Sequence, residues 1–542
     1  MSLTSRLARR APAGAIRPAI RAGHRAWWQT LGGLLLLGWG LLISAAHDFG
    51  LADEIWFLRV AQRVAAGERL YGDVFFGATP LSIYLSAPLV RLLGVELLVI
   101  KALVAACFAA SVLLGLRIAR QMGVSPAGCA LVLLGLLAYA WPRQAGGYTP
   151  LAAAGLLATW SATLAWRDAA AHHARYWLIA IGVLAGLTFA AKQNIGLYAL
   201  AAALTAVALG GAQPWRVGRR TLTALLTVTA AFSLTCLLSI LPVLLEGAWS
   251  QFVDYGFVNK RTYLRLGPIG YVDELKRLPQ RVQRARSLAQ AAQLYPHSVL
   301  LLIPLALTGL LLALALVRRR RWVLATALLF VAAALAGAYP RFDIEHTAYV
   351  APAALIALVG SAARLSVRRV RYALGLLAAL WFGAGSLLIN LSALQRMSSP
   401  DYEPARLPHL RGILVSRHEQ ATLAQRAQQL RGALRQERTL LLTPYAAFYY
   451  LVSDLPNPTP FDYPLATAFG LHGEQATIAA IQRGEIGSVC LQQPWRSRLR
   501  PPELAQYVEH HLVRQHALGA CVLYRRRAAV PDGRAAPTGI DE

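Results

Sequence analysis

Two adjacent acids, Asp53 and Glu54, are the residues best placed to do chemistry, because they follow directly on the first long apolar segment. They open a stretch of helical periodicity with one apolar face and one polar face, and the polar face carries Arg59, Gln62 and Arg63. We expect this helix to lie flat on a membrane surface, with both carboxylates at the depth of a lipid phosphate. The helix dipole alone also favours acids in a first turn. We favour function, because acids at a membrane boundary are commonly functional.

Two further groups combine cations with other polar side chains. Lys192 and Gln193 join two apolar segments by a short turn, where a cation suits a phosphate, although snorkelling also explains Lys192. Arg341, Asp343 and His346 lie in a short polar stretch between two long apolar segments. Charge in so short a connection indicates contact with water or a ligand. A solvated turn with an Arg341 to Asp343 ion pair remains an equal alternative.

The long segment 246–296 supplies a fourth group. Lys260 and Arg261 are interleaved there with aromatic residues, and a strongly cationic helix is predicted over residues 276–286. Such a surface could bind a pyrophosphate lipid or a polysaccharide, or could anchor the segment to anionic lipid headgroups. We favour a ligand for Lys260 and Arg261, and the headgroups for residues 276–286.

The elements that position these residues are membrane spans. The chain has 542 residues, of which 56% are hydrophobic and 15% charged, with a net charge of +28. Recurrent apolar runs of 18 or more residues predict a polytopic membrane protein and exclude a cytosolic enzyme and an outer-membrane barrel. Eleven spans are predicted, at about residues 27–46, 98–117, 127–142, 149–166, 176–191, 195–212, 221–245, 297–317, 322–339, 347–363 and 372–390.

The distribution of charge predicts the orientation. Six Arg residues precede the first span, which places the N-terminus in the cytoplasm. Arg-rich short loops recur on that side, and only Asp168 of the thirteen acids before residue 391 falls there. Residues 79–95 are interpreted as an interfacial helix, since an extra span would invert this pattern. The basic charge is therefore explained by loops and not by nucleic-acid binding.

The predicted organisation has four parts. A cytoplasmic basic N-terminus, residues 1–26, precedes an all-α transmembrane domain, 27–390, with outer loops 47–97 and 246–296. A periplasmic α/β domain over 391–527 follows, because the hydropathy drops and short helices alternate with strands. The predicted helices are at about residues 417–435, 445–452, 475–483 and 502–513, and the predicted strands at 439–443, 488–492 and 520–524. Residues 528–542 are predicted to be disordered. Cys490 and Cys521 lie on two predicted strands, where a disulfide and two unbridged buried thiols are the alternatives, and we favour the thiols.

Taken in order over about residues 30–390, these features resemble the GT-C integral-membrane glycosyltransferases, in particular the protein O-mannosyltransferases and lipid A aminoarabinose transferases. The similar positions are Asp53 with Glu54, Gly67 through Tyr71 to Asp73, Pro80 to Tyr84, Lys192-Gln193, and Arg341-Phe342-Asp343 with His346. Residues 443–463 are similar to the outer domain of bacterial relatives. Ala78-Thr79-Pro80 departs from the pattern, since many relatives have a basic residue and two prolines there.

The resemblance implies a hexosyl- or pentosyltransferase that uses a polyprenyl-phosphate sugar. The acceptor would be a hydroxyl of a lipid, a glycan or a protein on the periplasmic side of a bacterial inner membrane. Inverting displacement requires a carboxylate to take the acceptor proton. Asp53 is the candidate base, and Glu54 would orient it or the acceptor.

The remaining roles concern the phosphate and the acceptor. The candidate phosphate and substrate contacts are Lys192, Gln193, Arg341, Lys260, Arg261 and Tyr71. Asp343 and His346 would contact the acceptor or hold Arg341. No cofactor is predicted, because the spacing of His, Cys, Asp and Glu supports no metal site.

Three alternatives remain open. A polysaccharide polymerase or O-antigen ligase would use the same outer face with a pyrophosphate-linked oligosaccharide. A lipid-linked sugar transporter or flippase should carry ionisable residues at mid-span and broken helices in paired halves, and the sequence shows neither pattern. A purely structural scaffold would not explain why the carboxylates collect on the outer side.

Overall fold

The computed structural model describes residues 13–47, 49–139, 147–210, 218–287, 290, 321–342, 350–365 and 367–526, most of them in helices. The helices before residue 400 are, in chain order, α1 (Ala13–Ala46), α2 (Asp53–Ala65), α3 (Leu81–Leu93), α4 (Leu97–Gln121), α5 (Pro126–Tyr139), α6 (Tyr148–Asp168), α7 (Ala171–Ala191), α8 (Gln193–Gly210), α9 (Arg219–Leu245), α10 (Trp249–Val253), a π-helical turn (Asp254–Val258), α11 (Lys260–Leu266), α12 (Tyr271–Arg284), α13 (Arg321–Ala338), α14 (Val350–Ala362) and α15 (Arg368–Ser398).

Long apolar helices form the membrane part of the molecule. In the described residues, α4, α7, α8, α9 and α15 are long and apolar enough to cross a membrane. Parts of α1, α3, α5, α13 and α14 form shorter apolar helices. Ten of the eleven predicted spans coincide with a described helix, and the span predicted at 297–317 lies outside the described residues. The chain is therefore a helical membrane protein, while the count of eleven spans stays a prediction.

Helix α3 occupies the stretch that was interpreted as interfacial. Its 13 residues span roughly 20 Å, which is short of a hydrocarbon core of about 30 Å. The buried face of this helix, which includes Ile83 and Val90, packs on α2 and α4. This length agrees with a helix that does not cross the membrane.

Backbone contact between helices shapes the membrane part. A Cβ on Gly155 of α6 would lie 2.3 Å from the Oγ1 of Thr188 in α7, and a Cβ on Gly182 of α7 would lie 2.3 Å from the carbonyl oxygen of Val228 in α9. Only glycine permits these approaches, which are the usual means of packing helices in lipid. Helices α6, α7 and α9 are thereby fixed side by side.

The carboxyl-terminal region combines two sheets with four helices. Its elements are β1 (Tyr402–Pro404), β2 (Leu414–Ser416), α16 (Arg417–Leu434), β3 (Thr439–Leu442), α17 (Ala446–Val452), α18 (Gly473–Arg483), β4 (Ser488–Leu491), α19 (Pro502–His511), β5 (Val513–Ala517) and β6 (Val522–Arg525). Strands β1 and β2 pair antiparallel, and the larger sheet has the order β3-β4-β6-β5, in which only β3 and β4 are parallel. The four helices and strands β3, β4 and β6 lie where the apolar pattern predicts them.

The favoured interpretation of Cys490 and Cys521 as thiols is wrong. The two residues form a disulfide with a Cα to Cα distance of 5.4 Å. Cys490 lies in β4, and Cys521 immediately precedes β6, the strand that pairs with β4. The sequence showed both strands but not that they are neighbours, which is what brings the sulfurs together.

Helix α2 does not lie open on a membrane surface as predicted. Its apolar residues are buried, and its polar face is covered by residues 459–463 of the carboxyl-terminal region. Helix α17, buried at all seven positions, packs against α2 from the same region. One hydrophobic core therefore joins α2, the stretch 70–76 and the carboxyl-terminal sheet.

Candidate active site

Asp53 begins α2 and is partly exposed. Among the described residues, nothing donates a hydrogen bond to its carboxylate or forms an ion pair with it. Phe57 lies one helical turn further along the same face, and its ring centroid is 6.3 Å from that of Tyr148 and 6.2 Å from that of Phe76. The face of α2 that bears Asp53 therefore adjoins a cluster of aromatic rings.

Glu54, unlike its neighbour Asp53, is buried inside the protein. Its side chain is 2% exposed, and its Oε1 lies 2.9 Å from the Nζ of Lys101 in α4. The backbone N–H of Gly50 donates to its Oε2 at 2.9 Å. Both carboxylate oxygens of Glu54 are therefore engaged within the protein.

Lys192 lies on the far side of the aromatic cluster. It caps α7, and its Nζ stands 5.3 Å from the ring centroid of Tyr148. Tyr148 in turn contacts Phe57 and, at 6.0 Å, Phe76. The Lys192 ammonium and the face of α2 that starts with Asp53 thus border the same rings.

Residues 77–79, which we call the strap, run beside this cluster. The Nζ of Lys260 donates to the carbonyl oxygen of Gly77 at 2.6 Å, and the hydroxyl of Tyr71 donates to that of Ala78 at 2.6 Å. The hydroxyl of Thr79 donates to the carbonyl oxygen of Phe189, three residues before Lys192, at 2.5 Å. Tyr71, Phe189 and Lys260 therefore converge on the strap, which overlaps the Ala78-Thr79-Pro80 stretch.

The pKa values of Lys260 and Tyr71, which both donate to the strap, are shifted in opposite directions. Burial lowers the pKa of Lys260 to about 8, so this ammonium is held near its titration point at neutral pH. Burial raises the pKa of Tyr71 well above its usual value, which keeps the phenol protonated as a donor. Arg261, adjacent to Lys260, is exposed.

Gln193 and Arg341 both contact the segment 246–296. The Nε2 of Gln193 donates to the carbonyl oxygen of Gly256 in the π-helical turn at 2.7 Å. Residues 340 and 342 exchange two backbone hydrogen bonds with Ile269, which places the partly buried Arg341 beside the same segment. Asp343 and His346 lie outside the described residues.

An ion-pair cluster between α2 and the carboxyl-terminal region was not anticipated. Arg63 contacts Asp462 at 2.8 Å and Glu68 at 2.6 Å, and Arg59 approaches Asp462 at 3.5 Å. Asp462 is fully buried and also accepts from Asn457. These contacts attach the polar face of α2 to the carboxyl-terminal region.

Sequence reasoning also missed Lys101, Tyr148 and Thr79. The only signal for Lys101 was its rarity, since the chain has four Lys residues. Within the part of the chain that the structure describes, no cluster of three His, Cys, Asp or Glu side chains could hold a metal ion. The arrangement offers an accessible carboxylate together with Lys192 and Lys260, which is suited to taking a proton and stabilising a developing anion.

Comparison with solved structures identifies the fold. The chain is similar to ArnT from Cupriavidus metallidurans bound to undecaprenyl phosphate, with 14% identity, a TM-score of 0.53, and coverage of 93% of this chain and 99% of that one. The apo state of ArnT gives 13% identity and a TM-score of 0.54, with 92% and 98% coverage. The chain is also similar to the archaeal oligosaccharyltransferase AglB from Archaeoglobus fulgidus, in complex with an inhibitory peptide and a dolichol-phosphate. The identity is 12%, the TM-score is 0.51, and the match covers 92% of this chain and 75% of that one.

These likenesses extend over nearly the whole chain. No protein-family model and no curated protein sequence matches it. At identities of 12–14% the likeness concerns the fold. The predicted resemblance to the GT-C integral-membrane glycosyltransferases is confirmed at that level.

Proposed function

We propose that this protein transfers a monosaccharide, with inversion, from a polyprenyl-phosphate-linked donor to a hydroxyl of a lipid, a glycan or a protein. The fold supports this function, since one similar structure holds undecaprenyl phosphate and another a dolichol-phosphate with a peptide. The observation that carries the proposal is the position of Asp53. It begins the α2 face whose Phe57 packs on Tyr148, and Lys192 covers that same ring.

The proposed reaction is a single displacement. The acceptor oxygen attacks the anomeric carbon as Asp53 takes its proton, and the bond between that carbon and the phosphate oxygen breaks. The electron pair leaves with the phosphate, which is a stable anion and needs no general acid. Lys192 and Lys260 stabilise the charge that develops on it.

The other candidate residues have supporting roles in this proposal. Glu54 orients Asp53, and Tyr71 holds the strap through Ala78. Gln193 ties the Lys192 turn to the segment 246–296. Arg261 and Arg341 are assigned to the phosphate, and Asp343 and His346 to the acceptor.

We place this site on the periplasmic side of a bacterial inner membrane. The cations of the short loops support that orientation, because they lie at the helix ends remote from the site. Arg167 donates there to the carbonyl oxygen of Gly210, and Arg364 to that of Met122. The disulfide supports an oxidising compartment for the carboxyl-terminal region. We retain 27–390 as the transmembrane domain and 391–527 as the periplasmic domain.

Mass spectrometry of membrane lipids and surface glycans tests the proposal. Cells would carry the wild type, a deletion, or Asp53→Asn at matched expression. We expect the deletion and Asp53→Asn to lose the same single sugar from one acceptor while its polyprenyl-phosphate donor accumulates. Loss of a whole oligosaccharide repeat would instead indicate a polymerase or ligase, and a normal glycan profile in Asp53→Asn cells would contradict the assignment of Asp53.

A further inference from the structure

Lys101 is a buried cation inside an apolar helix. It lies at the fifth position of α4, and its side chain is 1% exposed. Its Nζ is 2.9 Å from the Oε1 of Glu54, which is itself 2% exposed. Nothing in the proposed reaction uses Lys101 directly.

Stability alone does not account for this pair. Removing two charges from water costs several kcal/mol per ion, and replacing a buried ion pair by apolar residues of similar volume is often neutral or stabilising. An apolar contact between α2 and α4 would hold these helices together equally well. A buried ion pair differs from an apolar contact mainly in the geometry that it imposes.

The geometry imposed here concerns the first turn of α2. Lys101 holds one oxygen of Glu54, and the other oxygen accepts from the N–H of Gly50, which lies in the turn before the helix. Asp53 stands between these two anchored points in the chain. The contacts of Glu54 therefore fix the backbone of this first turn, from which the Asp53 side chain projects.

We propose that Lys101 is a positioning residue, which through Glu54 holds Asp53 in the direction required for taking the acceptor proton. The proposal rests on the proposed function, since it presupposes that Asp53 is the base. Lys101 contacts neither donor nor acceptor. It acts on turnover and not on donor binding, which belongs to Lys192 and Lys260.

A double-mutant cycle with purified full-length protein tests this role. Lys101→Met, Glu54→Gln and the double variant would be assayed for kcat and donor KM with a polyprenyl-phosphate sugar. We expect kcat to fall on the order of 10²-fold in each single variant, as for a misplacement of about 1 Å. Donor KM should stay within about threefold of the wild type, and the double variant should lose no more than the worse single variant.

Phe330→Ala provides the control for a merely structural role. Phe330 is fully buried in the membrane part and stacks on Trp160 with a centroid distance of 5.8 Å, so its loss destabilises the protein without touching the site. Thermal unfolding would be measured for every variant. A kcat that follows the midpoint of unfolding in the same way for Phe330→Ala and Lys101→Met would overturn the positioning role.

Two other results would also overturn it. Additive losses in the cycle would mean that Lys101 acts independently of Glu54. Should Lys101→Met fail to fold, the double variant, which leaves neither charge unpaired, decides: folded protein with wild-type kcat contradicts the proposal. Asp53→Asn distinguishes failure of the proposed function from failure of the positioning role. An active Asp53→Asn enzyme would contradict the proposed function, whereas an inactive Asp53→Asn together with a fully active Lys101→Met would contradict only the role of Lys101.

Discussion

Two regions of this protein hold their elements together in different ways. The outer region is the part outside the apolar helices, chiefly α2, the strap and residues 402–525, and the membrane region consists of the apolar helices. In the outer region, buried ion pairs and hydrogen bonds join α2 to the carboxyl-terminal region, as at Arg63 and Asp462. In the membrane region, glycine allows helices to approach each other closely, as at Gly155 and Gly182. The outer contacts depend on charge and direction, whereas the membrane contacts depend on shape.

This difference places the chemistry. Directional contacts fix where a side chain points, which a proton transfer requires, and all the described candidate residues lie in or beside the outer region. Contacts that depend on shape require room for a close approach and need no charged partner. Substitutions that remove a charge should therefore act on the outer region, and substitutions that add volume should act on the membrane region.

The largest effect is expected from Arg63→Met. Asp462 would remain fully buried without its closest cation, and breaking a buried pair costs about 3–5 kcal/mol. Thermal unfolding in detergent would show the loss. Arg69→Met is the matched control, since Arg69 and Asp73 form an exposed pair, and we expect little change there. Equal midpoints for the two variants would contradict the view that direction-dependent contacts stabilise the outer region.

Lys192→Met tests the catalytic side of the comparison. Loss of one cation from a water-poor site costs about 3 kcal/mol of barrier, so kcat should fall on the order of 10²-fold. Its cation–π contact with Tyr148 contributes about 1–2 kcal/mol to folding. Initial rates and unfolding curves of the same preparation separate the two effects. Lys192→Arg should recover part of the rate, and wild-type turnover in Lys192→Met would refute the phosphate contact.

Gly182→Val tests the membrane region. Its Cβ would meet the carbonyl oxygen of Val228 at 2.3 Å, and because this obstacle is backbone, α7 and α9 must separate. We expect a loss of about 1–3 kcal/mol, seen as a lower unfolding midpoint in detergent. Gly375→Ala in α15 is the control, since no atom lies within 4 Å of its Cβ position. A neutral Gly182→Val would show that these helices are not held by close approach.

The smallest effect concerns pH. The pKa of Lys260 is about 8, so the fraction of cation falls above that pH and donor KM should rise by up to about tenfold per pH unit. The unfolded chain, with a Lys260 pKa near 10.5, binds this proton more tightly, so the contribution of Lys260 to stability rises between about pH 8 and 10.5. Lys260→Arg should abolish the rise in KM, and a KM profile identical to that of the wild type would exclude Lys260 from the phosphate site.

Local patterns sufficed for much of the fold. Apolar runs located ten described helices, and helical periodicity and short apolar runs located the four helices and three of the strands of the carboxyl-terminal region. Strand β5 escaped because all five of its residues are exposed and show no alternation. The side that α2 buries could not be predicted, since the partner of Arg63 lies 399 positions further along the chain.

The candidate site was predictable only in part. Residue type and position together drew attention to three residues: Asp53 follows the first apolar segment, Lys192 joins two apolar segments, and Lys260 lies among aromatic residues. The partner of Glu54 could not be predicted, because Lys101 lies within an apolar run that satisfied the pattern of a span. Pairings of this kind depend on which helices are neighbours, and periodicity carries no such information.

The assignment of Asp53 as the base is tested most directly by stereochemical and kinetic analysis of purified wild-type and Asp53→Asn protein with a polyprenyl-phosphate sugar. The account predicts a product of inverted anomeric configuration from the wild type. It also predicts a kcat on the order of 10²–10⁴-fold lower for Asp53→Asn, with donor affinity unchanged. A retained configuration, or wild-type turnover by Asp53→Asn, would contradict it.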